Sequence, residues 1–446
     1  MPRSFLPAPL ALLCCLTLLV GRNFAAEATF PPQLPEGKTV VTDQSPRFLQ
    51  ATSMDLPVGT KIATTAPVID LIYYPEQTYV GNPWSAWGDG VAVGEKYYSA
   101  IGDHKAPAGS AFVFEYDSKT KTLRTLASTA KTLNLPEGHY MPGKIHSRVD
   151  MGSDGWLYYS THRGSTRVTT DQYHYTGDWI LRTHPESGKT EIVAHGPVPK
   201  CCIPTSVFDA QRQIFYGGTA AGDPKEKTVT FFAYDVRNRK ILQTATPGPA
   251  RSMIFARSTG RVYYMDAVDD RLMRYDSVSN QPPQAIAGKL GLRAATQETP
   301  DGFVYTVGAE DAHLWRFNTK TEQSEDLGAL AVGSQTYTAS IDADPTGRFL
   351  YYVPGAHGSS ERDGSPIVQF DTRTRTKKVI AWVGAFYRER YGFLPMGSYT
   401  SDVSPDGCRL FITWNGNCGG VDRKGKVMFN TCALMVVHVP ESERRP

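Results

Sequence analysis

The chain has 446 residues, of which 47 are basic and 44 acidic, for a formal charge of +3. So even a balance leaves no basic stripe of the kind a nucleic-acid surface requires. After the first 28 residues no segment reaches the roughly 20 apolar residues of a membrane-spanning helix.

Residues 1–28 read as a secretory signal. Arg3 precedes an apolar stretch from Leu10 to Val20, and Ala26-Glu27-Ala28 offers a small-x-small cleavage site. Cys14 and Cys15 lie inside the apolar stretch rather than at its end, which argues against a lipid anchor. The mature chain is therefore expected to be secreted or periplasmic. Losing Arg3 and Arg22 brings it closer to neutrality, so any attraction for an anion must be local. Five cysteines remain, Cys201, Cys202, Cys408, Cys418 and Cys432. Export permits disulfides, and Cys418 with Cys432 is expected to staple the last hairpin, leaving Cys408 free or buried. A bridge between the adjacent Cys201 and Cys202 would be strained.

Residues 29–80 form a Pro- and Thr-rich N-terminal extension ending in one strand-like run, Val68-Ile69-Asp70-Leu71-Ile72-Tyr73-Tyr74. From residue 81 to 446 one unit recurs at intervals of roughly 40–50 residues, the spacing of propeller blades. Each unit has a strand, a Gly turn, an aromatic strand, a variable loop, and a strand closing on Tyr-Asp or a variant. The aromatic strands carry Tyr97-Tyr98, Tyr158-Tyr159, Phe215-Tyr216, Tyr263-Tyr264, Phe303-Val304-Tyr305, Tyr351-Tyr352 and Phe411. Closing strands end on Tyr116-Asp117, Tyr234-Asp235, Tyr275-Asp276, Phe317-Asn318 and Phe370-Asp371. Seven units predict an all-β protein, a seven-bladed β-propeller of antiparallel four-stranded blades. The strand near Ile69 would complete the last blade, removing open sheet edges.

Unit two holds the densest chemistry. From Gly143 to Gly164 two alternating runs flank Asp154-Gly155, a hairpin turn dipeptide. His146 stands eight residues before Asp154 and His162 eight after it, so the hairpin gathers His146, Arg148, His162 and Arg163 at one edge. Such a cluster suits an anionic ligand, although a His taken alone is better explained as solvated or satisfied at a strand end. The same offset from the blade turn gives Arg251 in unit four and Arg293 in unit five. Units six and seven place Tyr337-Thr338 and Ser398-Tyr399 there, and unit three Cys202-Ile203. These side chains should converge on one mouth of the central channel, with His104, His162 and His357 returning to it. A long aromatic loop follows His162 and supplies Tyr173 and Tyr175, whose alternative is packing on the blade face.

Cleaving a uronic-acid polymer by β-elimination requires a carboxylate to be neutralised before the adjacent proton is removed. Arginine suits the first task through its charged, bidentate fork. Histidine suits the base, and a tyrosine or second histidine the acid. In its blade repeat from about Trp84 to Pro440 and its His/Arg/Tyr mouth, the sequence resembles the β-propeller polysaccharide lyases, including ulvan lyases and oligogalacturonate lyases. The resemblance implies a carbon–oxygen lyase acting on an anionic polysaccharide or oligosaccharide. By that analogy His146, His162, Tyr173 and Tyr175 are the catalytic candidates. Substrate would be bound by Arg148, Arg163, Arg251, Arg293, Tyr337 and Tyr399. Some such enzymes hold a divalent metal through clustered histidines, for which His104 and His357 are candidates, although no CxxC or HExxH spacing supports one. Propellers host unrelated functions, so two other readings stand. One is a streptogramin-lyase-like, metal-dependent lyase with an acidic ligand from Glu298, Glu310 or Asp311. The other is a non-catalytic glycan- or protein-binding propeller with Trp84, Trp87, Tyr337 and Tyr399 as aromatic platforms.

Overall fold

The computed structural model describes residues 28–51, 56–421 and 426–445. The expected signal segment lies, but for Ala28, outside them. Seven separate sheets make up the molecule, each built on an antiparallel four-strand pattern, and together they form the seven blades of a β-propeller. Blade 1 runs Val91–Val93, Lys96–Gly102, Ala111–Asp117 and Thr122–Ser128. The innermost strands of blades 3, 4, 6 and 7 are Cys201–Asp209, Pro249–Ala256, Thr338–Ala343 and Leu394–Val403. In blade 5 that strand shrinks to Ala294–Ala295.

Face-to-face blades bury both faces of their central strands, which explains why these read as aromatic and aliphatic runs. Aromatic pairs fill the seams: Tyr97 stacks on Phe411 at 4.9 Å between blades 1 and 7. Tyr158 stacks on Phe208 at 4.3 Å between blades 2 and 3, and Tyr263 meets Phe317 at 4.9 Å between blades 4 and 5. Such pairs add about 0.5–1.5 kcal/mol each beyond their buried area. The recurring Asp or Asn after the third strand has a separate cause. Asp117, Asp235, Asp276, Asn318 and Asp371 each accept backbone N–H groups two or three residues on, at 2.8–3.2 Å. They fix the tight turn into the outer strand.

Blade 7 takes three strands from the C-terminal end of the chain, Leu394–Val403, Arg409–Asn417 and Thr431–His438, and its fourth from Val68–Tyr73. The register runs from Val68 opposite His438 to Tyr73 opposite Ala433. A further strand, Val41–Gln44, pairs outside Val68–Tyr73, and Lys61–Ile62 adds in parallel to the edge of blade 6. No helix among the described residues is long and apolar enough to cross a membrane.

The expected disulfide is absent, since all five described cysteines are free thiols. Cys418 and Cys432 sit on opposite faces of blade 7. Cys418 packs on the core shared with blade 6 beside the Tyr73 hydroxyl (3.4 Å), whereas Cys432 is buried in the seam with blade 1.

Candidate functional site: a cationic channel mouth

In blade 2 the innermost strand is broken. Lys144–Ile145 and Asp150–Met151 both pair with Leu157–His162, and residues 146–149 leave the ladder between them. Ser147 occupies the gap, its Oγ accepting the Ser160 N–H at 2.8 Å. The break shifts the register by two, so Lys144, not His146, lies opposite His162. A symmetric hairpin about Asp154-Gly155 pairs His146 with His162 instead, so the sequence alone does not single out Lys144.

Freed from the ladder, His146 faces the channel. Its Nδ1 lies 2.8 Å from the Pro204 carbonyl. A carbonyl only accepts, so Nδ1 carries the proton and Nε2 keeps its lone pair. The His162 ring is 5.3 Å away, centroid to centroid. His146 lines a cavity of about 60 Å³ together with Trp87, Arg251, Arg293 and Tyr399, over Asp89 and Arg148. The shared offset from the blade turns thus does bring His146, Arg251, Arg293 and Tyr399 around one small volume.

Arg293 is buried, its Nε donates to the Tyr337 hydroxyl, and its guanidinium stands 4.9 Å above the Tyr337 ring and 5.4 Å above that of Tyr399. One of its terminal nitrogens is buried with no hydrogen-bond partner. Among the described residues no carboxylate lies within 4 Å of Arg251, Arg293 or Lys144. Mutual repulsion and burial leave their mark. Burial, then Arg293, holds the Arg251 guanidinium below its ordinary range. Lys144 is brought down to about 8 by burial, then by Arg163 and Arg251. Burial and then Lys144 push His104 down to about 3 and hold His146 and His162 well below the usual imidazole value. These imidazoles are therefore neutral at pH 7.

Trp87 lies across the opening. Its ring meets those of His104 (5.8 Å), His146 (6.0 Å), His357 (5.8 Å) and Tyr399 (4.6 Å), and Lys144 Nζ sits 4.8 Å over it. Asn415 from blade 7 holds the preceding residue, accepting from the Ala86 N–H at 2.7 Å and donating to the Ala86 carbonyl at 3.0 Å. Nothing in the blade repeat marks Asn415 in advance. The Tyr399 hydroxyl is 2.6 Å from a ring nitrogen of the exposed His357, and His357 also packs on Tyr337 at 4.7 Å. Glycine is required behind this wall: a Cβ on Gly143 or Gly164 would stand 2.9 Å from the His104 Cα.

Several sequence expectations need correction. Tyr173 and Tyr175 do not line the cavity. Tyr175 is buried with its hydroxyl near Cys202 (3.2 Å) and Asp178 (3.3 Å), and Tyr173 packs on the same blade 1–2 core. Arg148 is not a free anion binder, because it faces Asp89 at 3.4 Å and Asp150 at 3.6 Å below the mouth. Arg163 bridges to blade 3, donating to the Ala221 carbonyl. Trp84 is wholly buried and donates to the Tyr79 carbonyl at 2.7 Å. Glu298 lies at the blade-turn end of the channel, accepting from Ser258 and Thr319 at 2.5–2.7 Å. Glu310 and Asp311 are exposed, and Asp311 accepts the His313 N–H at 3.0 Å. No three His, Cys, Asp or Glu side chains among the described residues converge as metal ligands. His104 turns Nδ1 to the Pro83 carbonyl at 2.9 Å, His357 engages Tyr399, and the cations between them oppose a divalent ion. The donor set does not fit a metal.

No protein-family model matches the chain, and no curated protein sequence does. Among solved structures, an oligogalacturonate lyase in complex with manganese is similar over 92% of this chain and 98% of its own, at 11% identity and a TM-score of 0.53. A chain of a mitotic checkpoint complex is similar over 88% and 97%, at 12% identity and 0.50. The WD40 repeats of RRP9 are similar over 93% and 100%, at 11% identity and 0.47. Likeness at this level concerns the fold alone, which an enzyme and a chain of a protein complex share with this chain.

Proposed function

We propose that this mouth binds the carboxylate of a uronic-acid unit in an anionic polysaccharide or oligosaccharide and cleaves the chain by β-elimination. The observation that carries the reading is the pair Arg251 and Arg293, which share one small cavity with His146 and, among the described residues, have no carboxylate within 4 Å, one nitrogen of Arg293 being buried and unpartnered. A buried donor without an acceptor costs about 1–3 kcal/mol, which a bound carboxylate would recover. About 60 Å³ admits a few waters or a carboxylate but no sugar ring, so the ring would rest outside, against Trp87.

In this scheme the arginines neutralise the carboxylate and the charge that develops on it. Nε2 of neutral His146 takes the proton beside the carboxylate. The resulting electron pair forms the carbon–carbon double bond as the glycosidic C–O bond breaks, and the Tyr399 hydroxyl, backed by His357, protonates the departing oxygen. An anion brought in by the arginines would also offset the repulsion that weakens His146 as a base. An exported protein would meet such polymers outside the cell.

The non-catalytic reading has its own support in the partly exposed rings of Trp87, Tyr337 and His357. A panel of uronate-containing polysaccharides separates the two. Release of unsaturated product, seen as new ultraviolet absorbance, is the expected result. Saturable binding with no unsaturated product from any member would leave a carbohydrate-binding propeller.

A further inference from the structure

We propose that Lys144 is a nucleophilic amine that condenses with the carbonyl carbon of an anionic aldehydo or keto acid at this mouth. The elimination scheme gives Lys144 no task, yet four structural features converge on it. It stands directly opposite His162 in the blade 2 ladder, and its charge acts on both His162 and His146. His104 is tied to the preceding residue, its N–H donating to the Gly143 carbonyl at 3.1 Å. The ammonium group has no carboxylate within 4 Å among the described residues and lies 4.8 Å over the Trp87 ring. Two nitrogens around it, Nε2 of His104 and Nδ1 of His162, are buried without hydrogen-bond partners.

A lysine is made nucleophilic by removal from water beside other cations. With its value brought down to about 8 by burial and then by Arg163 and Arg251, a larger share of Lys144 is free amine at pH 7 than of an ordinary lysine. The balance of the step is simple. The amine lone pair attacks the carbonyl carbon, the carbonyl π pair moves to oxygen, and as nitrogen gives up one proton the oxygen takes one, giving a carbinolamine. A second proton leaves with the hydroxyl group as water while the nitrogen lone pair forms the C=N bond, so amine, carbonyl and one proton become iminium and water with no oxidant or reductant. His104 and His162 supply nitrogens for these proton movements. Arg251 and Arg293 supply the preference for a carboxylate beside the carbonyl, and that preference rests on the carboxylate-binding reading above, whereas the nucleophile does not.

Reductive trapping tests both halves. The full mature protein is treated at pH 7 with glyoxylate and cyanoborohydride, or with propionaldehyde and cyanoborohydride, and lysine modification is mapped by peptide mass. The expected result is that Lys144 is labelled at least about tenfold faster than the median of the other lysines, and faster by glyoxylate than by propionaldehyde. Arg293→Ala should remove the difference between the two reagents while leaving propionaldehyde labelling of Lys144 in place. Equal labelling of wild type by both reagents would overturn the carboxylate preference. Labelling of Lys144 no faster than that of surface lysines would overturn the proposal whole, whatever the polysaccharide assay shows.

Discussion

At the scale of single residues, the mouth divides into groups that would hold charge and groups that would move protons. Arg293→Ala removes a buried, partly unpartnered donor, and its loss should lower kcat/KM for elimination about 10²–10³-fold. His146→Ala should abolish product formation while binding of the polysaccharide, measured by calorimetry, changes little, because a base acts in the transition state. Near-normal elimination by the His146 variant would move the base to another residue. The pH profile follows from the direction of the shift. Burial, then Lys144, Arg251 and Arg293, depress His146, so it stays unprotonated through neutrality and the acid limb of kcat/KM should lie below pH 6.5. Lys144→Met removes a repelling positive charge, raises the imidazole value and should move that limb to higher pH. A limb that stays put would show that His146 does not set it.

At the scale of elements, the blades were legible because each repeats a physical device: aromatic seams such as Tyr97 on Phe411, and Asp turns such as Asp117. The convergence of Arg251, Arg293 and Tyr399 was legible for a related reason, since a fixed offset from the far turn measures depth along an innermost strand. Lateral placement was not. Whether Tyr175 meets the channel or Asp178, whether Arg148 meets solvent or Asp89, and which face of blade 7 Cys432 occupies all depend on neighbouring blades. The break at residues 146–149 defeated even the depth measure, by two residues, and concealed Lys144. The outer strand of blade 7 is the element on which ring closure depends. Leu71 within it is fully buried, so Leu71→Ala should cost about 2–5 kcal/mol in urea unfolding. Removing residues 29–75 should abolish the cooperative transition, and a truncated chain melting like the full one would show that blade 7 closes without that strand.

Over the whole molecule, charge is separated rather than in excess. A nearly neutral chain concentrates Lys144, Arg251 and Arg293 at one end of its channel, while Asp89, Asp150, Asp342 and Asp402 surround Arg148 and Arg257 deeper in. Burial raises the Asp402 carboxyl to about 7, so at pH 7 this inner cluster carries less negative charge than four ionised carboxylates would. The positive end should steer a polyanion to the mouth. Association rates measured by stopped flow should fall as ionic strength rises from 10 to 150 mM, where the screening length drops from about 30 to 8 Å. A rate indifferent to salt would mean that the mouth does not guide its ligand.

The pairing of Val68–Tyr73 with Thr431–His438 also has a consequence in time. The strand that completes blade 7 is made early and its partners last, so hundreds of residues must emerge before the ring shuts. Until then the apolar edge at Ile69 and Leu71 has no partner, and six blades stand as an open arc with two raw ends. Closure is thus the most non-local event in the chain, and non-local pairing is slow. Refolding should show a late step in which the two ends meet, and the incomplete arc before it is the form most exposed to aggregation.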